Sequence, residues 1–236
     1  MKKVPPLSDV DWPDARRIIS SRYPPIDLFE DIADPRDWEL LVSAEAKTNP
    51  RIADSVGRLD LIPPSRRVSG QGASYVMAPF THISTDWVGR FHDGTFGAYY
   101  AAQNFDTAVL ETAYHRARFL KATQEAPGWV AQMRELVGAI KAELDDLRGQ
   151  PAFADCLDPD DYDASQAFTR SLRASGSDGV VYPSVRDPGG TCVAAFWPDV
   201  VGLPVQGRHL SYHYNGTRID YVRDDGSDKV WELTNP

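Results

Sequence analysis

The chain has 236 residues, 42% of them hydrophobic, with 25 lysines and arginines against 34 aspartates and glutamates, for a formal charge of −9. This length and composition indicate a globular chain with a core of its own, and they exclude the collagen-like, coiled-coil and disordered classes. The acidic balance argues against nucleic acid as a direct partner, because that kind of binding depends on lysines and arginines that meet phosphates.

Neither the start of the chain nor its interior contains a run of about 18 apolar residues, the length that a membrane helix needs. No secretory leader and no membrane span are therefore expected, and we expect a soluble, cytoplasmic protein. Cys156 and Cys192 lie far apart and lack the paired spacing of zinc ligands. A disulfide framework is equally unexpected.

Residues 1–66 are predicted to form a helical, polar N-terminal extension. Helices are expected over residues 11–24, where Pro13 falls in the first turn, over residues 35–47, and from residue 49 onward. This extension contains no group of residues that indicates chemistry. Packing or contact with a partner is its expected role.

Residues 67–236 are predicted to form a second domain that mixes strands and helices. The short apolar runs at residues 74–80 and 96–102 are typical of buried strands. After them, apolar residues at spacings of three and four predict a long helix, which Asn104 or Asp106 can cap.

The rest of the domain is predicted to alternate between strands, one helix and turns, ending in a meander. This order favours an α+β fold, with a mixed sheet and flanking helices, over a regularly alternating parallel sheet. The expected elements are strand 129–147 with a turn or bulge at Gly138, helix 160–174, strands 179–182 and 191–196 around a turn, and hairpins at residues 215–216 and 225–226.

The residues best suited to chemistry lie between Gly89 and Glu111. Arg90 stands among aromatic side chains, where a guanidinium can clamp a carboxylate or a diphosphate. Tyr99 and Tyr100 share a predicted strand and must point to opposite faces, so one packs in the core while the other can line a cleft. Glu111 falls about two turns into the predicted helix, beyond the first turn where a helix dipole attracts carboxylates.

Structural roles remain open for the same residues. Arg90 can pair with a surface carboxylate, and Glu111 and His115 can form a helix-face pair worth about 0.2 to 0.5 kcal/mol. No metal site is expected, because zinc takes three or four ligands and no third histidine or cysteine has suitable spacing. Ser184 lacks the Gly-x-Ser-x-Gly context of a hydrolase nucleophile and can be a turn serine.

Four fragments, in order, resemble the RES domain, a family named for an arginine, a glutamate and a serine. The resemblance covers roughly residues 68–205 and places the three named residues on Arg90, Glu111 and Ser184. The fragments are Gly89-Arg90-Phe91, Tyr100-Ala101-Ala102, Thr107-Ala108-Val109-Leu110-Glu111, and residues 179–186 followed by Cys192-Val193-Ala194-Ala195-Phe196.

The resemblance implies an ADP-ribosyltransferase-like fold that acts on NAD. Members of the family are usually toxins, each neutralised by a DNA-binding, Xre-type antitoxin encoded beside it. They destroy NAD by hydrolysis or phosphorolysis, and some are described as modifying a protein. Carried over to this sequence, the family's site residues are Arg90, Tyr100, Glu111 and Ser184.

The family often has a further arginine on its first strand. Arg66 and Arg67 are the nearest candidates for that position in this sequence. Two interpretations of function are open. The first is an enzyme that consumes NAD, with water, phosphate or a protein side chain as acceptor, the last of these making it an ADP-ribosyltransferase. The second is a non-catalytic module that binds a nucleotide or a partner, with residues 1–66 as its interaction surface.

Overall fold

The computed structural model describes residues 4–21, 34–45, 47 and 56–234. Within these residues, one mixed eight-stranded sheet carries helices against its faces, which confirms the predicted α+β class. The strands are β1 (Leu7–Ser20), β2 (Tyr99–Ala102), β3 (Gly128–Asp146), β4 (Gly179–Pro183), β5 (Thr191–Ala195), β6 (Val205–Tyr214), β7 (Ile219–Asp224) and β8 (Val230–Glu232), and the helices are α1 (Trp38–Glu45), α2 (Ala73–Thr81), α3 (Phe105–Ala122) and α4 (Asp163–Ala174).

The strand order is β1-β2-β5-β4-β3-β6-β7-β8. β1 also pairs with β3, antiparallel, from Leu7 opposite Asp145 to Ser20 opposite Met133. Strands β1, β2, β5, β4 and β3 are therefore linked in a closed ring of pairings, and β3 is long enough, at 19 residues, to pair with β6 as well. Strands β6, β7 and β8 continue the sheet as the predicted meander.

Alternation along the inner strands divides the apolar residues into two cores. Tyr99 and Ala101 of β2 pack in the core that includes α2, whereas Ala102 packs with α3 in the other core, against which Tyr100 also lies. The same alternation holds along β4 and β5, because successive side chains of a strand point to opposite faces. The core that contains α3 also borders the cavity described below.

The helix predicted over residues 11–24 is wrong, because residues 7–20 form β1. The register between β1 and β3 shifts between Trp12 and Ala15, at a bulge that holds Pro13. The bulge lets Trp12 and Ala15 pack in the same core although they are three residues apart, and Ile18 packs in the other core. The buried residues therefore fall at a spacing that imitates a helix. The N-terminal segment is therefore not wholly helical, although its separation from the rest after residue 66 stays a prediction.

The strand predicted over residues 74–80 is also wrong, because these residues lie in α2. The buried residues of α2 include Ser74, Val76, Met77 and Phe80, so nearly all sides of the helix are covered. A short segment that is apolar all round has no period that separates a buried helix from a buried strand.

Most other predicted elements are confirmed. Asn104 caps α3 by accepting a 2.9 Å hydrogen bond from the Thr107 amide. Residues 128–146 form a single strand, with Gly138 opposite Ala15 beside the bulge of β1. The predicted start of the helix expected from residue 49 onward lies outside the described residues. No helix in the described part is both long and apolar enough to cross a membrane.

Candidate active site

A cavity of about 250 Å³ opens between α3, β1, β2 and the loop that precedes β2. Arg90, Tyr100 and Glu111, three of the residues that the sequence singles out, line this cavity together. The fourth, Ser184, is hydrogen-bonded to Glu111 from the start of the β4–β5 link. The structure thus brings all four residues to one place, although 73 residues separate Ser184 from Glu111.

The Glu111 carboxylate is held by the Ser184 hydroxyl. Ser184 Oγ donates a 2.6 Å hydrogen bond to Glu111 Oε1. The same oxygen accepts hydrogen bonds from the amides of Arg186, at 3.2 Å, and Asp187, at 2.9 Å. Because the two amides occupy its lone pairs, the hydroxyl can direct its proton only toward Glu111. Ser184 is therefore both a turn serine and a positioning group for the carboxylate.

The turn that carries Ser184 is itself fastened to α3. Thr107, in the first turn of α3, donates from Oγ1 to Asp187 Oδ2 at 2.5 Å. Gly190 closes the same link with a 2.9 Å hydrogen bond from its amide to the Asp187 carbonyl. A Cβ atom on Gly190 would lie 2.6 Å from both Asp187 Oδ2 and Thr107 Oγ1, so only glycine lets the link approach the helix so closely.

Tyr100 faces the cavity while Tyr99 is buried in the opposite core, as the alternation predicts. The Tyr100 hydroxyl accepts a 2.9 Å hydrogen bond from the Phe91 amide. Burial raises the pKa of Tyr100, so its ring is a neutral phenol at physiological pH. Tyr100 therefore offers an uncharged aromatic wall, held in a fixed orientation.

Arg90 is buried, with 8% of its surface exposed. Its Nη1 donates to the carbonyl oxygens of Cys156, at 3.2 Å, and Asp158. Its guanidinium lies 4.7 Å from the centroid of the Tyr162 ring. Among the ion pairs of the described residues, none includes Arg90, so the proposed alternative of a surface salt bridge is wrong. Main-chain carbonyls hold this cation in place, without an ion pair to any carboxylate in the described part of the chain.

Arg17 also lines the cavity, and the sequence analysis missed it. Its Nη1 donates to the Tyr100 carbonyl at 2.9 Å, and its guanidinium lies 4.6 Å from the centroid of the Tyr99 ring. Its Nε is buried and has no hydrogen-bond partner among the described residues. Burial lowers the pKa of Arg17 from its ordinary value. A second guanidinium with an unused donor therefore stands beside Arg90.

Arg66 and Arg67, the nearest candidates for a further site arginine, both lie outside the cavity lining. Arg66 pairs with Asp178 at 2.7 Å and Asp199 at 2.9 Å. Arg67 is buried and pairs with Glu39 at 2.5 Å. Two arginines of β1, Arg16 and Arg17, line the cavity instead, and Arg16 pairs with Glu135 at 3.1 Å. The sequence could not indicate either of them, because the segment that carries them has the residue spacing of a helix.

His115 lines the cavity one helical turn after Glu111. Burial of the ring, followed by repulsion from the guanidinium groups of Arg186, Arg118 and Arg90, lowers the pKa of His115, although the residue is exposed. Among the ion pairs of the described residues, the only one that includes a histidine joins His213 to Asp220, so Glu111 and His115 form no helix-face ion pair.

The lining also contains the thiol of Cys192. Burial raises the pKa of its thiol well above 9.0, so the sulfur stays protonated and is a poor nucleophile. Among the described residues, no group of three or more histidines, cysteines, aspartates and glutamates is arranged to hold a metal ion. The lining offers a carboxylate, three arginines, of which Arg16 pairs with Glu135, and an aromatic wall. This arrangement suits a substrate with an anionic group beside a ring that becomes cationic.

Three comparisons place the chain among known proteins. A crystal structure of the M. tuberculosis MbcT-MbcA toxin-antitoxin complex contains a chain that matches with 12% identity and a TM-score of 0.43, covering 86% of each chain. The uncharacterized protein y4oC of Sinorhizobium fredii (strain NBRC 101917 / NGR234) is 32% identical over 219 residues, which is 91% of this chain and 89% of that protein. The family model of the RES domain matches residues 64–215. This match covers more than half of the chain and contains Arg90, Tyr100, Glu111 and Ser184, so the chain belongs to the RES domain family.

Proposed function

We propose that this protein is an enzyme that consumes NAD by cleaving the bond between nicotinamide and ribose. The observation that carries the proposal is the cavity in which Glu111, fixed by Ser184, stands beside Arg17, Arg90 and Tyr100. The mechanism follows from what each group can do there.

Loss of nicotinamide leaves positive charge on the ribose ring, as in other cleavages of glycosidic bonds. The nicotinamide ring of NAD is already cationic and departs neutral, so the reaction needs no general acid. A single carboxylate is therefore enough, where ordinary glycosidases use two. Glu111 stabilises the developing cation, and Ser184 holds its carboxylate in place before the substrate arrives.

The arginines bind the diphosphate of NAD. Guanidinium groups recognise phosphate oxygens through two parallel hydrogen bonds, and here both groups are already oriented by main-chain carbonyls. Tyr100 packs against the nicotinamide or its ribose. Because the protein holds these side chains in fixed orientations, little conformational entropy is lost when the substrate reacts.

The carboxylate argues for catalysis over a non-catalytic module. A buried guanidinium that forms no ion pair is costly to keep, since desolvation opposes it, and an anionic ligand that enters the cavity repays this cost. A module that only binds a nucleotide would use Arg90 in the same way. It would gain nothing from Glu111, whose negative charge repels a phosphate, whereas the enzyme interpretation gives a reason for both residues.

The biological role that we propose is that of a toxin, neutralised by an Xre-type antitoxin encoded beside it. Membership of the RES family supports this role. The reaction with water makes it an NAD glycohydrolase and the reaction with phosphate an NAD phosphorylase, and transfer to a protein side chain is the alternative. Co-expression with the neighbouring reading frame should relieve growth arrest in the native host. Arrest that persists despite expression of both proteins contradicts the toxin role.

The reaction itself is tested by incubating the purified protein with NAD, with and without phosphate, and identifying the products by mass spectrometry. Free nicotinamide is expected, together with ADP-ribose, its 1″-phosphate or a modified protein. Glu111→Gln keeps the shape of the side chain and removes its charge, and a loss of about 10²- to 10³-fold in kcat is expected. Tight NAD binding without release of nicotinamide would instead support the non-catalytic module.

A further inference from the structure

The loop that joins α2 to β2 presents an exposed tryptophan beside the cavity. Trp87 is 66% exposed, and the next two residues, Val88 and Gly89, line the cavity. A Cβ atom on Gly89 would lie 2.8 Å from the Tyr100 hydroxyl, and the Gly89 carbonyl accepts a 3.0 Å hydrogen bond from Gln166 Nε2. The chain is therefore fastened against the cavity immediately after Trp87, which keeps the indole at its edge.

The indole of Trp87 packs against a second aromatic ring. The ring centroids of Trp87 and Phe119 are 5.9 Å apart, and the Arg116 guanidinium lies 4.8 Å from the centroid of Phe119. Phe119 follows Glu111 by eight residues on α3, so Glu111, His115 and Phe119 lie along one face of the helix. Along the helix axis, Phe119 lies about 12 Å from Glu111.

The cavity is too small for a whole dinucleotide. Its volume of about 250 Å³ is below the range of about 300 to 1,000 Å³ that encloses drug-sized ligands. If the scissile bond lies at Glu111, the nicotinamide riboside end occupies the cavity and the adenosine end must lie outside it. The adenosine end needs a surface at the edge of the cavity, several residues along α3 from Glu111.

We propose that Trp87, supported by Phe119, is the surface on which the adenine base of NAD stacks. This assignment rests on the proposed cleavage of NAD and adds a residue that sets specificity for the dinucleotide. Every nucleobase has a flat π face, and exposed aromatic side chains are the usual platforms for it. An exposed indole held at the edge of a nucleotide cavity has the placement that such a platform needs.

The test compares two substrates with the same scissile bond. Nicotinamide mononucleotide lacks the adenosine half of NAD, so it cannot reach the stacking surface. Trp87→Ala should raise the KM for NAD by about 5- to 140-fold, the loss expected for one stacked base. The KM for nicotinamide mononucleotide and the kcat for both substrates should change by less than about twofold. Trp87→Phe keeps a ring and should restore most of the affinity for NAD.

Trp129 supplies a matched control. It is also exposed, at 46%, and its ring packs against His213, away from the residues that line the cavity. Trp129→Ala should leave the kinetics of both substrates unchanged. The stacking surface is refuted if Trp87→Ala leaves the KM for NAD unchanged, or if it impairs both substrates equally.

A third measurement separates this inference from the proposed reaction. If the wild-type protein cleaves neither substrate, the proposed reaction fails, and binding of ADP measured by calorimetry decides the stacking. Tighter binding of ADP to wild type than to Trp87→Ala, by about the same factor, supports the stacking surface. Equal affinity of the two proteins for ADP overturns it.

Discussion

Removal of the Ser184 hydroxyl isolates what the positioning of Glu111 contributes to the reaction. Ser184→Ala deletes the 2.6 Å hydrogen bond to Glu111 Oε1 and leaves the amides of Arg186 and Asp187 without their acceptor. A hydrogen bond to a charged group contributes about 1.5 to 3 kcal/mol, so kcat should fall by about 10- to 150-fold. Single-turnover release of nicotinamide measures this loss directly.

The effect of Ser184 should depend on the charge of Glu111. In the Glu111→Gln background the hydroxyl faces a neutral amide, and its hydrogen bond contributes only about 0.5 to 1.5 kcal/mol. The double-mutant cycle should therefore give a coupling energy of about 1 to 1.5 kcal/mol. An equal loss in both backgrounds would refute the idea that Ser184 acts through the carboxylate.

Ser211 is the matched control for this substitution. It is buried and donates a 2.9 Å hydrogen bond to a carboxylate oxygen of Asp225, outside the cavity lining. Ser211→Ala should lower the free energy of unfolding without changing kcat. A loss of kcat comparable to that of Ser184→Ala would show that any buried serine–carboxylate pair has the same effect.

Three further predictions follow from the charges and the packing. Arg17→Ala removes a charged hydrogen-bond donor from the cavity and should raise the KM for NAD by about 10- to 150-fold in steady-state assays. Arg66→Ala breaks ion pairs outside the cavity lining and should leave this KM unchanged. Trp12→Ala should lower the free energy of unfolding in urea by about 3 to 5 kcal/mol, because Trp12 is buried in β1; a change below about 1 kcal/mol would show that β1 is dispensable. Burial lowers the pKa of His92 from 6.5 to about 4, so the unfolded chain takes up a proton that the folded chain rejects, and stability should fall as the pH drops from about 6.5 to 4. His92→Gln should make the fall in the free energy of unfolding shallower between pH 7 and pH 5. The same slope in wild type and variant would contradict a lowered pKa of His92 in the folded protein.

The elements that the sequence predicts correctly are those with a local signal. The apolar stripe and the Asn104 cap predict α3 with its correct start. The Asp-Pro-Gly-Gly link predicts that β4 and β5 are adjacent, and the structure pairs them antiparallel. In both cases the residues that define the element also stabilise it.

The elements that the sequence predicts wrongly lack such a signal. The bulge at Pro13 and burial on both faces of the strand give β1 the spacing of a helix. Burial on nearly all sides of α2 removes its periodicity. Because residues 7–20 were predicted as a helix and not as a strand, Arg17 could not be recognised as a cavity residue. The contact between Ser184 and Glu111 depends on pairings that no local pattern encodes, so only the family resemblance could suggest it.

The functional side chains around the cavity share one feature, which is that main-chain atoms orient them. The Tyr100 carbonyl orients Arg17, the Cys156 carbonyl orients Arg90, and the amide after Arg90 orients the Tyr100 hydroxyl. Two amides likewise direct Ser184 toward Glu111. Because folding fixes these main-chain atoms, the cost of ordering the site is met before the substrate arrives. Substitutions that shift the main chain near Gly190 should therefore impair kcat even where they contact no substrate, since the Ser184 turn and α3 approach each other there.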